Sequence, residues 1–123
     1  MVIGALVAVV DDDESVRESL PDLLREFGFR AQTFSSAEEF LASGSLAQTR
    51  CLLLDIAMPG MSGPALQKEL ASQRWRIPIV FITAQNDDQL RPKLLEAGAV
   101  DLLCKPFAES ALVDAVTRAV RSQ

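Results

Sequence analysis

The stretch Leu52 to Gly60, LLLDIAMPG, runs apolar into an aspartate and then at once into a Met-Pro-Gly turn. A short apolar run closed by turn residues predicts a strand buried on both faces. Asp55 is then either the residue at which a buried strand turns toward solvent or a nucleophile held at a strand tip.

Outward from this stretch, short apolar runs alternate five times with longer amphipathic segments, as βα units do. The expected strands are Ala5 to Val10, Ala31 to Phe34, Cys51 to Asp55, Pro78 to Thr83 and Ala99 to Cys104. Between the first two, Val16, Leu20, Leu23, Leu24 and Phe27 fall at helical spacing and Gly28 ends the segment. Pro21 lies inside that helix, lacks the N–H that would bond back to Arg17, and predicts a kink. The second helix opens on Ser36-Ala-Glu-Glu39, a capping-box pattern, and buries Phe40 and Leu41. The third follows the Gly60 to Gly63 turn, with Pro64 in its first turn and Leu66 and Leu70 inward, and Trp75 is expected to cover the sheet nearby. The fourth runs from about Asp87 to Glu96 with Leu90, Leu94 and Leu95 inward and Gly98 as its stop. The fifth carries Leu112, Val116 and Val120.

With right-handed crossovers, five parallel strands and alternating helices point to an α/β, flavodoxin-like (βα)5 sandwich of three layers with strand order 2-1-3-4-5. A chain of 123 residues, 49% hydrophobic, suits one domain with one sheet. A net charge of −5 repels phosphate backbones, so neither nucleic acid nor an anionic membrane is an expected partner. The apolar start MVIGALVAVV lacks a basic region and falls short of the ~20 residues that span a membrane, and it reads as a strand of a cytoplasmic protein. Cys51 and Cys104, on strands two apart and so roughly 9 Å from one another across the sheet, are expected to be unpaired thiols.

That strand order puts all strand carboxyl ends on one edge and opens a crevice between the first and third strands. Asp11, Asp12 and Asp13 follow strand one, Asp55 closes strand three, Thr83 strand four, and Lys105 follows strand five. Each alone has a plain explanation: DDDE favours a helix N-terminus, Asp55 could cap a turn, Thr83 is a good β-former and Lys105 could be a solvated charge. Together they bring carboxylates, a hydroxyl and an ammonium to one crevice. Clustered carboxylate oxygens with few protein ligands suit Mg²⁺, which also draws in a phosphate. Asp55 would then be a nucleophile forming an acyl phosphate, with Mg²⁺ and Lys105 neutralising the phosphoryl oxygens and Thr83 donating a hydrogen bond to one of them.

The motifs VVDDD, LLLDIAMPGMSG, VFITA and CKPF, in this order and spacing, resemble the receiver domain of two-component response regulators, and the likeness spans residues 1–123 as one domain. The resemblance implies Asp55 as phosphoacceptor, with Thr83 and Lys105 acting on the phosphoryl group. It also implies Mg²⁺ held directly by Asp12, Asp55 and the backbone carbonyl of Ala57, and by Asp11 largely through water, with Asp13 outside the pair. It implies a cis Lys105–Pro106 bond and a signalling protein that catalyses its own phosphorylation and dephosphorylation rather than an enzyme with another substrate. The phosphoryl donor would be a histidine kinase or a histidine phosphotransfer protein, and the chain itself contains no histidine. The helix beginning at Glu14 would dock the kinase. The surface of helix four, strand five and helix five would address an output domain or partner protein. SSAEEFL and GAVDLLCKPF look most like receivers that precede a helix-turn-helix domain in transcriptional regulators. Leu102 stands where the family often has an aromatic switch residue, and Ala57 and Gln85 stand where it tunes water access.

Three other readings fit less well. A haloacid-dehalogenase-type phosphatase needs a second aspartate where this chain has Ala57. A flavin or dinucleotide binder wants a glycine-rich or hydroxyl-rich loop where this chain has DDDE. A pseudo-receiver, keeping the fold as a protein-interaction module, would have lost an acid, the nucleophile or the lysine, and all are retained.

Overall fold

Each apolar run becomes a strand of one parallel sheet. The computed structural model describes residues 4–84 and 89–122. Its elements are β1 (Leu6–Val10), α1 (Glu14–Glu26), β2 (Arg30–Phe34), α2 (Ala37–Ala42), a 3-10 turn at Leu46–Gln48, β3 (Thr49–Asp55), α3 (Gly63–Ser72), β4 (Ile79–Thr83), α4 (Leu90–Glu96), β5 (Asp101–Cys104) and α5 (Glu109–Arg121). The strand order is β2-β1-β3-β4-β5, the doubly wound arrangement expected.

Side-chain alternation divides the interior in two. Ala8, Val10, Leu52, Leu54 and Phe81 pack against Phe40 of α2, Leu66 and Leu70 of α3 and Leu94 of α4. Val7, Val9, Cys51, Leu53, Val80 and Ile82 face Leu20 and Leu24 of α1 and Leu112, Val116 and Val120 of α5. The three central strands are therefore apolar on both faces, as strands covered from two sides must be. Edge strand β2 alternates instead, with Arg30 and Gln32 outward. The expected thiols are unpaired: Cys51 is buried in β3, where burial pushes it up to about 12, and Cys104 is half-buried on β5, beyond β4. The register sets Val10 beside Phe34 and Leu54, Asp55 beside Ile82, and Thr83 beside Cys104, so the strand ends form one level edge.

Helix α1 runs from Glu14 to Glu26 with Pro21 buried inside it, where the ring offers no N–H to the Arg17 carbonyl. Several local expectations need correction. Phe27 is the C-cap of that helix and lies 51% exposed, the chain having left the helical path; Phe29 takes the buried position. Ser36 does cap α2 through the Glu39 N–H at 3.0 Å, but the Glu39 carboxylate accepts from the Ser35 hydroxyl at 2.7 Å, so a side-chain bond stands where the box expects a backbone N–H. On α4, Leu94 is buried and Leu90 half-buried, whereas Leu95, a further 100° around the helix, is 37% exposed. Trp75 does not cover the sheet: it is 36% exposed on an open groove at the end opposite the aspartates, lined also by Leu70, Ile77 and Pro78. The expected start of helix four at Asp87 lies outside the described residues, as does Gln85.

Candidate functional site

Asp11 is fully buried just past the end of β1. Four contacts hold it: its N–H donates to the Phe34 carbonyl at 3.1 Å, its Oδ1 accepts the Asp13 N–H at 2.9 Å, its Oδ2 lies 3.1 Å from the Lys105 ammonium, and its carbonyl accepts from the Arg17 guanidinium at 2.8 Å. Asp12 beside it is exposed and points at the crevice, which it lines with Asp55. Asp13 also lines the crevice but is engaged in capping α1, accepting from the Ser15 N–H at 2.9 Å and its hydroxyl at 2.8 Å, which hold its carboxyl below the ordinary range. Of the acidic run, Asp11 and Asp12 thus group with Asp55, while the Asp13 carboxylate is committed to the helix N-terminus.

Asp55 ends β3 almost fully buried. Burial first, and the Asp11 carboxylate second, push its carboxyl up to about 7, while Lys105 pulls the other way. One oxygen from each of Asp11, Asp12 and Asp55 falls within 4.8 Å of the others. Hard carboxylate oxygens at that separation fit a small divalent cation that keeps part of its water. Thr83, Ala57, Lys105, Ala84 and Leu90 line the same crevice, a cavity of about 340 Å³. Asp11, Asp12, Asp55, Ala57, Thr83 and Lys105, expected together from the sequence, therefore meet at one place. The Lys105–Pro106 bond that follows is cis. A larger groove, about 720 Å³, is the one beside Trp75; Asp11, Asp12 and Asp55 are not among its lining residues.

A family model for the response regulator receiver domain matches residues 7–117. The chain belongs to this family. Among relatives of the receiver, nodulation protein W of Bradyrhizobium diazoefficiens is 45% identical over 115 residues, which cover 94% of this chain and 51% of that protein. The transcriptional regulatory protein FixJ of Rhizobium meliloti is 38% identical over 113 residues, 92% of this chain and 55% of that one. The receiver spans about half the length of the curated relatives it matches. The crystal structure of FixJ-N is 36% identical and superposes with a TM-score of 0.87 over 100% of this chain and 98% of that one. The structure of the response regulator StyR is 48% identical with a TM-score of 0.89, covering 95% of this chain and 59% of that one. No helix of the receiver, among the described residues, is long and apolar enough to cross a membrane.

Sequence reasoning missed three residues of this receiver site. Arg17 reaches the Asp11 carbonyl from the first turns of α1, and nothing in the local pattern separates it from a solvated helix arginine. Gly63 opens α3 with its Cα turned onto the Asp55 carbonyl: an added Cβ would collide with that oxygen and sit 3.1 Å from the Ile56 Cα. Glu38, in the first turn of α2, accepts the Met61 N–H from the loop after β3 at 3.1 Å. Only the Gly63 position carried a signal, the MSG turn before Pro64.

Proposed function

We propose that Asp55 accepts a phosphoryl group from a phosphohistidine and that the crevice around it is built for that transfer. The observation that carries this reading is the convergence of Asp11, Asp12 and Asp55 with Lys105 and Thr83 in one crevice at the switch point of the sheet. An Asp55 carboxylate oxygen attacks phosphorus; the O–P bond forms as the P–N bond breaks, and the departing imidazole nitrogen takes the electron pair and a proton from water. Asp12, Asp55 and the Ala57 carbonyl, with Asp11 through water, would hold Mg²⁺, which would supply positive charge against the phosphoryl oxygens. Lys105 adds its ammonium from beside Asp11, and Thr83 donates its hydroxyl to one oxygen. The same residues would serve the return reaction with water, the self-dephosphorylation expected of such a site.

The partners in this reading are a histidine kinase or histidine phosphotransfer protein, docking beside α1, and an output domain or partner protein read by α4, β5 and α5. The proposed output is transcriptional, in keeping with relatives named as transcriptional regulators, and the setting is cytoplasmic, in keeping with two unpaired cysteines. Asp101 supports the output surface: Arg91 of α4 grips one of its oxygens at 2.6 Å and Arg118 of α5 the other at 2.7 Å. Leu102 next to it is already 8% exposed, so an inward swing on phosphorylation has little further area to bury. The shift of the output face then rests mainly on the Thr83 and Lys105 contacts.

Acetyl phosphate with Mg²⁺ tests the assignment. Intact mass should rise by one phosphoryl group, and Asp55→Asn should abolish the gain. Stoichiometric labelling of Asp55→Asn would show that another carboxylate is the acceptor.

A further inference from the structure

We propose that Glu38 is a positioning residue for cation binding, tethering the β3–α3 loop so that the Ala57 carbonyl is presented to the crevice. The inference rests on the reading of the crevice given above. Of its proposed ligands, Asp12 and Asp55 are anchored by the ends of β1 and β3, whereas the Ala57 carbonyl is only as well placed as the loop that carries it.

That loop is pinned at both ends. The Ile56 N–H donates to the Ile82 carbonyl at 3.2 Å, the Gly63 N–H to the Ile56 carbonyl at 2.9 Å, and Ser62 caps α3. Between these ends Met58 inserts its side chain into the core. The one hydrogen bond from the backbone of residues 57–61 to another element, among the described residues, is Met61 N–H to Glu38 Oε2. The loop is shaped to admit this carboxylate. Gly60 adopts φ +74°, and a Cβ there would lie 2.6 Å from the same Glu38 oxygen. A first-turn glutamate is favourable at any helix N-terminus. Glu39 fills that description and turns to its neighbour Ser35, whereas Glu38 reaches across 23 positions of sequence to the loop.

A tether of this kind acts by preorganisation. Without it the loop samples arrangements in which the carbonyl is turned aside, and binding must first select the productive one.

Mg²⁺ titration of the whole chain, followed by amide NMR shifts around Asp55, tests the proposal. Glu38→Ala should weaken Mg²⁺ binding about three- to tenfold, the range expected for losing one charge-assisted hydrogen bond near the surface. Glu38→Gln keeps an acceptor oxygen and should stay within about twofold of the unmodified protein. Glu39→Ala removes the same charge one residue on and should also stay within about twofold, because surface charges at that range are screened. Gly60→Ala, which crowds the carboxylate from the loop side, should weaken binding as Glu38→Ala does and shift the Met61 amide, so the proposal remains testable if Glu38→Ala folds poorly. Unchanged affinity in Glu38→Ala alongside a shifted Met61 amide would overturn the tether. So would an equal loss in Glu38→Gln or Glu39→Ala, which would reduce the effect to charge. Failure of the unmodified protein to bind Mg²⁺ would instead overturn the reading of the crevice itself.

Discussion

A carboxyl whose folded-state value is raised, as that of Asp55 is to about 7, sets a pH dependence whose sign is fixed. In the unfolded chain Asp55 titrates near the ordinary 3.8. Its protonated form is therefore preferred by the fold, its contribution is complete below about pH 4, and it is lost as pH rises through about 7. In the absence of divalent cation, denaturant titrations should show stability falling between pH 5 and pH 8 by on the order of 2 kcal/mol, the crevice mouth screening part of the full effect. Asp55→Asn should flatten this decline, and added Mg²⁺, which favours the charged form, should oppose it. A decline of equal size in Asp55→Asn would assign it to other groups.

The junction of β3 and α3 shows at the level of elements what the sequence could and could not disclose. Leu52 to Asp55 as a buried strand and Leu66 and Leu70 as the inward face of a helix followed from periodicity alone, because a regular element repeats its environment along its own length. The close approach of Gly63 to the Asp55 carbonyl depends on how two elements meet, which no periodicity encodes. Gly63→Ala should force α3 away from the strand end and cost roughly 1–3 kcal/mol of stability as an overpacked contact. Phosphorylation by acetyl phosphate should slow more than in a variant destabilised to the same degree elsewhere, since the displaced atoms include the backbone of Asp55 itself. Wild-type labelling rates in a folded Gly63→Ala protein would make the contact one of packing only. The exposed Phe27, Trp75 and Leu95 went unread for a related reason: each sits at or near a helix end, where the chain leaves the repeat on which the expectation rested.

For the molecule as a whole, the fold and the location of the site were legible from one fact, that parallel strands joined by right-handed crossovers must gather their carboxyl ends on one edge. Polar residues at four strand ends thereby became neighbours without any measurement of distance. What stayed hidden are the cross-element ties, Arg17 to Asp11 and Glu38 to Met61, between residues that are ordinary in their own segments. Cys51, buried at the centre of the sheet on the α1 and α5 side and pushed up to about 12, supplies a built-in clock for how often this architecture comes apart. A thiol so held has almost no thiolate and no path to a reagent, so its alkylation at neutral pH counts only openings that expose β3. Half-buried Cys104, at the edge strand, counts shallower excursions. Pulsed alkylation read by peptide mass should therefore modify Cys104 first and Cys51 far more slowly, and beryllofluoride with Mg²⁺ should slow both. Matching rates at the two thiols would mean that the edge and the centre of the sheet open as one unit.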